Sequence, residues 1–302
     1  MLNRLAVIFD FDDTLTNDST STLLLRNGFS QEDVDKFWKK EVEDFAVQGW
    51  EPTLAWLHLL LKLIQNRTIA QNTSKLLREF GQTLESYCGL EGLLNDLEQE
   101  VGLQSARLKE LSNGSNSICI DFYIISAGIQ EVIDGFPLSQ RFKGRWGSQL
   151  MSDAPDGQVK YVSRAITFTE KTRYLFAIQK GINLVNFSRN PEIVNDIVDE
   201  TDQIPFANIV YVADGGSDVP CFSIVRQRGG RTVVLLQRTA RGDWLRDKTL
   251  QTDSWNDDWS RKVEPRKSAG PYMPDYRPVA DLGRELRRWT RHLCQGFISK
   301  TK

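Results

Sequence analysis

The chain has little of what marks a secreted, zinc-bearing or membrane-spanning protein. Its four cysteines, Cys88, Cys119, Cys221 and Cys294, stand far apart, with no CxxC pair and no Cys/His ligand spacing. That pattern disfavours a disulfide scaffold or a zinc module and predicts small reduced thiols in an intracellular protein. Histidine is almost missing: His58 and His292 have no visible partner in the sequence and are not expected to be catalytic. Long apolar runs are missing too. LAVIF is too short for a signal-peptide core, and LAWLHLLLKLI is broken by His58 and Lys62 and falls short of the roughly 20 residues a bilayer requires. The expectation is a cytoplasmic protein with no membrane partner.

What is present is an ordinary globular balance, 40% hydrophobic and 26% charged over 302 residues, enough for one large domain or two ordinary ones. The net charge of −2 hides an asymmetry. From Arg238 onward 15 basic residues face 9 acidic ones, so an acidic body carries a basic tail. In the last helical stretch Arg284, Arg287, Arg288 and Arg291 invite a nucleic-acid reading. A solvated face backed by Leu286, Trp289 and Leu293 is the simpler one, and no nucleic-acid partner is expected.

Three apolar runs end in small or acidic residues: LAVIF into DFDDTLT, ICIDFYI into ISAG, and NIVYV into ADGGSD. Buried parallel strands deliver polar groups at their carboxyl ends in this way. With RTVVLLQ as a fourth strand and helical stretches between, the pattern predicts an α/β fold, a Rossmann-like open parallel sheet whose ligands sit beyond the strand ends. The first two strands are separated by residues 18–87, rich in Leu, Trp, Lys and Glu, which read as three or four helices over Gln31–Phe45, Pro52–Ile64 and Ala70–Tyr87. The expected organisation is a helical cap domain, 18–87, inserted after the first strand of a core domain formed by 1–17 and 88–302. Further on, FKGRWGSQLMSDAPDGQVKYV predicts a small hairpin, and Thr169 is a candidate cap for the helix that Lys171 opens. The stretch from Arg238 to Tyr276 reads as irregular loops. Val279, Leu282, Leu286, Trp289, Leu293 and Phe297 then recur at helical spacing, predicting a last helix packed on the core.

Asp10 and Asp12, followed by Thr14, stand where a buried strand becomes a loop. In extended chain, residues i and i+2 point the same way, so both carboxylates face one reacting group. Asp10 then suits attack on phosphorus, and Asp12 proton transfer to the leaving oxygen and from water; an Asp-rich turn capping the next helix is the alternative. Asp214 and Asp218 frame GGS at a third strand end. Carboxylates from two strands converging there would repel unless a cation such as Mg²⁺ sat among them, although Asp218 could instead cap the helix that follows. Ser126, Ala127 and Gly128 offer a hydroxyl and main-chain N–H groups at an expected helix start, a phosphate cradle or an ordinary cap. Lys171 would screen charge shared by Asp10 and phosphate, with Lys160 and Lys180 as competitors.

FDFDDTLT, IISAG, a lysine opening a helix, and VADGGSD, in this order, resemble the four motifs of the haloacid dehalogenase superfamily, in particular its phosphoserine-phosphatase-like members. The resemblance covers about residues 1–16 and 88–237. It implies that Asp10 is nucleophile and Mg²⁺ ligand, that Asp12 is acid/base and a ligand through its main-chain carbonyl, and that Asp214 is the other protein ligand with Asp218 close behind. It implies that Ser126 and Lys171 hold phosphate. An acid at position 12 sets the chain apart from the superfamily's dehalogenases, which lack one there, and from its ion pumps, which carry a threonine. A Mg²⁺-dependent phosphatase of a small soluble phosphate monoester is the expectation. A phosphotransferase or phosphomutase using the same aspartyl phosphate is the alternative, and a non-catalytic phospholigand-binding protein a third reading. Trp38, Trp50, Lys39 and Lys40 are the candidates for setting specificity from the cap.

Overall fold

The computed structural model describes residues 2–155, 157–182, 187, 190–198, 203–236 and 268–300. Strand β1 (Leu2–Phe9) has its last five residues buried, because it lies in the middle of the sheet with side chains packed on both faces. Val7 and Phe9 join one apolar core; Ala6 and Ile8 join another on the opposite face. Between β1 and the next strand come α1 (Ser19–Arg26), α2 (Gln31–Lys36), α3 (Val42–Val47), α4 (Pro52–Gln65), α5 (Ser74–Gln82) and α6 (Leu90–Leu111). Helices α2 and α3 are joined without a break by a π-helical turn, Phe37–Glu41.

The starts of these helices are written in their caps. Ser30 forms a capping box with Asp33, and Pro52 opens α4 behind the Glu51 carboxylate, which accepts from Leu54 N–H, each satisfying donors that the first turn leaves unpaired. Helix α1, for which the sequence held no separate expectation, is capped by Asp18, whose side chain accepts from Thr20 and Ser21 N–H.

The remaining elements are β2 (Ser117–Ile129), α7 (Gln130–Gly135), β3 (Gly144–Met151), β4 (Tyr161–Arg164), α8 (Glu170–Gln179), β5 (Ile209–Ala213), α9 (Val219–Gln227), β6 (Arg231–Leu235), β7 (Ala269–Tyr272) and α10 (Asp281–Ser299). The sheet runs β4-β3-β2-β1-β5-β6-β7. Every neighbouring pair is parallel except β3 and β4, which make the expected hairpin. The fold is thus α/β, an open, mostly parallel sheet with helices inserted after its first strand.

Three expectations are corrected. Residues 269–272, read as loop, form edge strand β7 on β6; a four-residue strand containing Gly and Pro carries no alternating pattern. The rest of that stretch, from Arg238 to 267, lies outside the described residues. Thr169 precedes α8, but its side chain makes no capping bond. In α10 the buried stripe is Leu282, Leu286, Thr290, Cys294 and Ile298, a four-residue repeat; Val279 is exposed, and Trp289, Leu293 and Phe297 are only partly buried. The stripe is rotated because α10 packs along α6, where Arg287 pairs with Asp96 at 2.6 Å and Arg291 with Glu100 at 3.1 Å. Arg284 and Arg288 pair with Asp281 and Glu285 of their own helix. All four cysteines are free, and no described helix is long and apolar enough to cross a membrane.

Glu131 of α7 is buried, its Oε2 meets no hydrogen-bond donor among the described residues, and burial pushes its carboxyl from 4.5 up to about 7. The folded state therefore holds a proton that the unfolded chain has released, and stability is expected to fall as pH rises across that interval, by on the order of 2–3 kcal/mol. Glu131→Gln flattens the slope. Denaturant unfolding at pH 5 and pH 8 checks this; equal losses in wild type and variant would contradict it.

Candidate active site

Strand register brings the polar ends together. Phe9 of β1 is level with Ile124 of β2 and with Val212 of β5. Asp10, one residue beyond Phe9, donates its N–H to Val212 O at 3.0 Å; Ser126 and Asp214 stand two residues beyond their level partners. Three adjacent parallel strands thus deliver Asp10, Ser126 and Asp214 to one edge of the sheet.

Beneath that edge lies a buried charge cluster. Lys171, entirely inaccessible, places Nζ 3.1 Å from Asp10 Oδ2 and 2.8 Å from Asp218 Oδ1. Asp218 Oδ1 also accepts from the hydroxyl of Tyr211 at 2.6 Å. Burial works against the charged form of the lysine, but Asp10 and Asp218 outweigh it and hold the ammonium charged. Lys160 instead pairs with Asp153 on the surface, and Lys180 donates to the carbonyls of Val194 and Asp196. Asp218 makes no capping bond at the start of α9, so the capping alternative does not hold; its carboxylate is spent on the lysine. Tyr211 is a member of this cluster with no signal of its own in the sequence, since a tyrosine in NIVYVA reads as core.

Asp10 Oδ1 accepts from Phe11 N–H at 2.7 Å, and Asp12 Oδ1 from Ser19 N–H at 2.8 Å. Asp13 then takes the left-handed conformation, φ 54°, which short polar side chains tolerate, and accepts from Tyr87 Oη at 3.2 Å. Thr14 does not reach the cavity: its hydroxyl is buried without a partner among the described residues, while its carbonyl accepts from the buried Tyr276 hydroxyl at 2.7 Å. The Ser126–Gly128 segment ends the second strand just ahead of a helix, as expected, but its N–H groups are not those of the helix's first turn, which begins at Gln130 behind Ile129. The segment lies inside β2 at a register shift between Ile125 and Ile129, and Ser126 Oγ accepts from Gly128 N–H at 3.0 Å. Gly128 is required by close approach, because a Cβ there would meet Asp12 Oδ2 at 2.4 Å. In the GGS turn Gly215 has φ 119°, a region closed to other residues.

Above these groups is a cavity of about 370 Å³. Its floor is Asp10, Asp12, Asp13, Ser126, Ala127, Gly128, Asp214, Gly216 and Ser217; its other walls come from Asp18, Thr20, Trp38, Val42, Pro52, Thr53 and Trp56 of the inserted helices, and from Phe168. Of the four cap candidates only Trp38 lines it. Trp50 packs on Phe45 and His58, Lys39 pairs with Asp35, and Lys40 is exposed.

One lysine does not balance the carboxylates. Asp10, Asp214 and Asp218 each offer an oxygen within 4.8 Å of the others. Burial raises Asp10 to about 7, against Lys171 and with Asp218; burial, Asp10 and Asp218 hold Asp214 well above the carboxylate range. Burial and then Asp18 carry Asp12 up to about 8. Among the described residues no donor reaches the Asp214 carboxylate. An all-oxygen set with a charge deficit and one carboxylate lacking a partner fits a hard divalent cation such as Mg²⁺. The Asp12 carboxylate stands outside this group.

No family model matches the chain. A protein from Borreliella burgdorferi, described as uncharacterized, is 28% identical over 246 residues, 74% of this chain and 79% of that one. Among solved structures, a HAD family hydrolase from Salmonella enterica serovar Typhi has a TM-score of 0.45 at 13% identity, covering 78% of this chain and 64% of that chain. A probable phosphoserine phosphatase from Vibrio cholerae has a TM-score of 0.46 at 13% identity, covering 97% and 67%. A phosphoserine phosphatase captured as a phospho-aspartyl intermediate analogue has a TM-score of 0.41 at 15% identity, covering 80% and 90%. The chain itself has an open, mostly parallel α/β sheet, with helices inserted after its first strand and the motifs at the carboxyl ends of adjacent strands.

Proposed function

We propose that the protein is a Mg²⁺-dependent phosphatase acting on a small phosphate monoester through an aspartyl phosphate on Asp10. The observation that carries this reading is the placing of Asp10 between a buried, charged lysine 3.1 Å away and the Asp214 carboxylate that no described donor reaches, on the floor of the cavity beside the inserted helices. Asp10 attacks phosphorus while the bond to the ester oxygen breaks, and Asp12, two residues on and lining the same cavity, gives that oxygen its proton. Asp12 then takes a proton from water as the water attacks phosphorus, the bond to Asp10 breaks, and inorganic phosphate leaves. Ser126 Oγ and the main-chain groups of Ala127 and Gly128 bind the phosphoryl oxygens, and Lys171 holds the Asp10 carboxylate in line and offsets developing charge. Asp10 and Asp214, the Asp12 carbonyl and Asp218 behind them hold the cation, which supplies the positive charge that lets a phosphate dianion approach these carboxylates. Residues 18–87 act as a cap whose helices wall one side of the cavity, and residues 1–17 and 88–302 form the body. A cavity of this size accommodates a small ester.

Phosphate release from p-nitrophenyl phosphate and small monoesters with Mg²⁺ and no acceptor tests the reading. Chelating divalent metal is expected to abolish release and added Mg²⁺ to restore it, and Asp214→Asn to weaken Mg²⁺ binding in titration calorimetry by at least about tenfold, the effect of one lost charge-assisted ligand. Turnover that is indifferent to chelation, or that requires an alcohol acceptor, would overturn it.

A further inference from the structure

The walls of the cavity away from Asp10 are aromatic and acidic. Trp38 and Trp56 stand with ring centroids 6.0 Å apart, inclined at 54°, and Phe168 adds a ring that is 42% exposed and lines the same space. Asp18 lines it beside them. The carboxylate and the indole are held as one unit: Trp38 Nε1–H donates to Ser21 Oγ at 2.9 Å, and the Ser21 hydroxyl donates to Asp18 Oδ2 at 2.5 Å. Asp18 Oδ1 is fixed in turn by Thr20 and Ser21 N–H at 3.0 and 3.2 Å. Trp38 is carried on the π-helical turn Phe37–Glu41, a local departure from α-helix that frequently marks a functional position.

Among the described residues no arginine, lysine or histidine lines the cavity. The nearest cation in the site, Lys171, is inaccessible and already shared by Asp10 and Asp218. A leaving group with a carboxylate would therefore be placed against Asp12 and Asp18 with no counter-charge. An ammonium group would find there tryptophan rings and a fixed carboxylate, the groups that attract it.

We propose that the substrate is a phosphomonoester of an amino alcohol that carries an ammonium or quaternary ammonium group and no carboxylate, seated between Trp38, Trp56, Phe168 and Asp18. This rests on the phosphatase reading above and narrows it. Asp18 and Trp38 are then the specificity-determining residues, while Asp10 and Asp12 act on the phosphate whatever the alcohol.

The test compares kcat/KM of the full chain with Mg²⁺ for phosphoethanolamine and phosphocholine, for the neutral isostere 3,3-dimethylbutyl phosphate, for the anionic phosphoglycolate and phosphoserine, and for p-nitrophenyl phosphate. The cationic esters are expected to exceed the neutral isostere by at least about tenfold, and the anionic ones by more, as one desolvated cation–π and carboxylate contact predicts. Asp18→Asn, which keeps a good helix cap, is expected to collapse the cationic-to-neutral ratio towards one, chiefly through KM, and Trp38→Leu to lower it further. Hydrolysis of p-nitrophenyl phosphate with no preference for the cationic esters, or a preference that Asp18→Asn leaves intact, overturns this inference and leaves the phosphatase standing. Hydrolysis of none of the esters overturns both.

Discussion

Asp10→Asn is expected to lower kcat on any phosphate ester by at least about 10³-fold, some 4 kcal/mol of barrier, with the fold intact. An amide is a poor nucleophile for phosphorus, and no neighbour can substitute: Asp12 is held by Ser19 N–H, and Asp218 is spent on Lys171 and Tyr211. The fold survives because Asn keeps the shape and the contact with Phe11 N–H, and Lys171 retains Asp218 at 2.8 Å. Removing one of several crowded carboxylates also relieves repulsion from Asp214 and Asp218. Steady-state kinetics beside thermal unfolding checks both halves; a variant retaining a tenth of the wild-type rate would remove Asp10 from the chemistry.

Lys171→Met is expected to have the opposite balance, with both activity and stability lost. The methionine fills the volume of the lysine stem, so the cost is electrostatic. It leaves Asp10 and Asp218 buried with no cation between them, and breaking a buried pair in this way costs about 3–5 kcal/mol. Added Mg²⁺ should recover part of the stability by binding the freed carboxylates, and little of the turnover, because Asp10 is no longer held in line. Denaturant unfolding with and without Mg²⁺ measures this. Wild-type stability in the variant would mean that the lysine is not the counter-ion of the cluster.

The parts of this site that could be read from sequence are those where a strand's apolar run ends in a polar residue. Asp10, Ser126 and Asp214 each follow such a run, and the parallel register of β1, β2 and β5 makes convergence a consequence of the sheet. Lys171 was legible only by its order among the motifs; its burial and its two carboxylate partners depend on contacts 161 and 47 residues away. Tyr211 was hidden because a tyrosine inside a buried strand has the same local signature whether its hydroxyl meets Asp218 or nothing. Tyr276 was hidden for a related reason. It lies in a stretch without periodicity, yet its ring packs on Phe9 and its hydroxyl reaches Thr14 O across 262 residues. The Ser126–Gly128 segment precedes a helix as its sequence indicates, but whether its N–H groups belong to the strand or to the first helical turn is decided by the sheet. Here β2 shifts register and continues to Ile129, and only the close approach of Gly128 to Asp12 reveals why a glycine stands there.

The central claim is that the phosphoryl group passes through a covalent bond to Asp10. Rapid acid quench of the wild-type protein during turnover of ³²P-labelled p-nitrophenyl phosphate with Mg²⁺, followed by borohydride reduction and peptide mass spectrometry, tests it directly. Label is expected on the protein before reduction and not on Asp10→Asn, with position 10 alone converted to homoserine. Steady turnover with no trapped label, or label on any other residue, would contradict it.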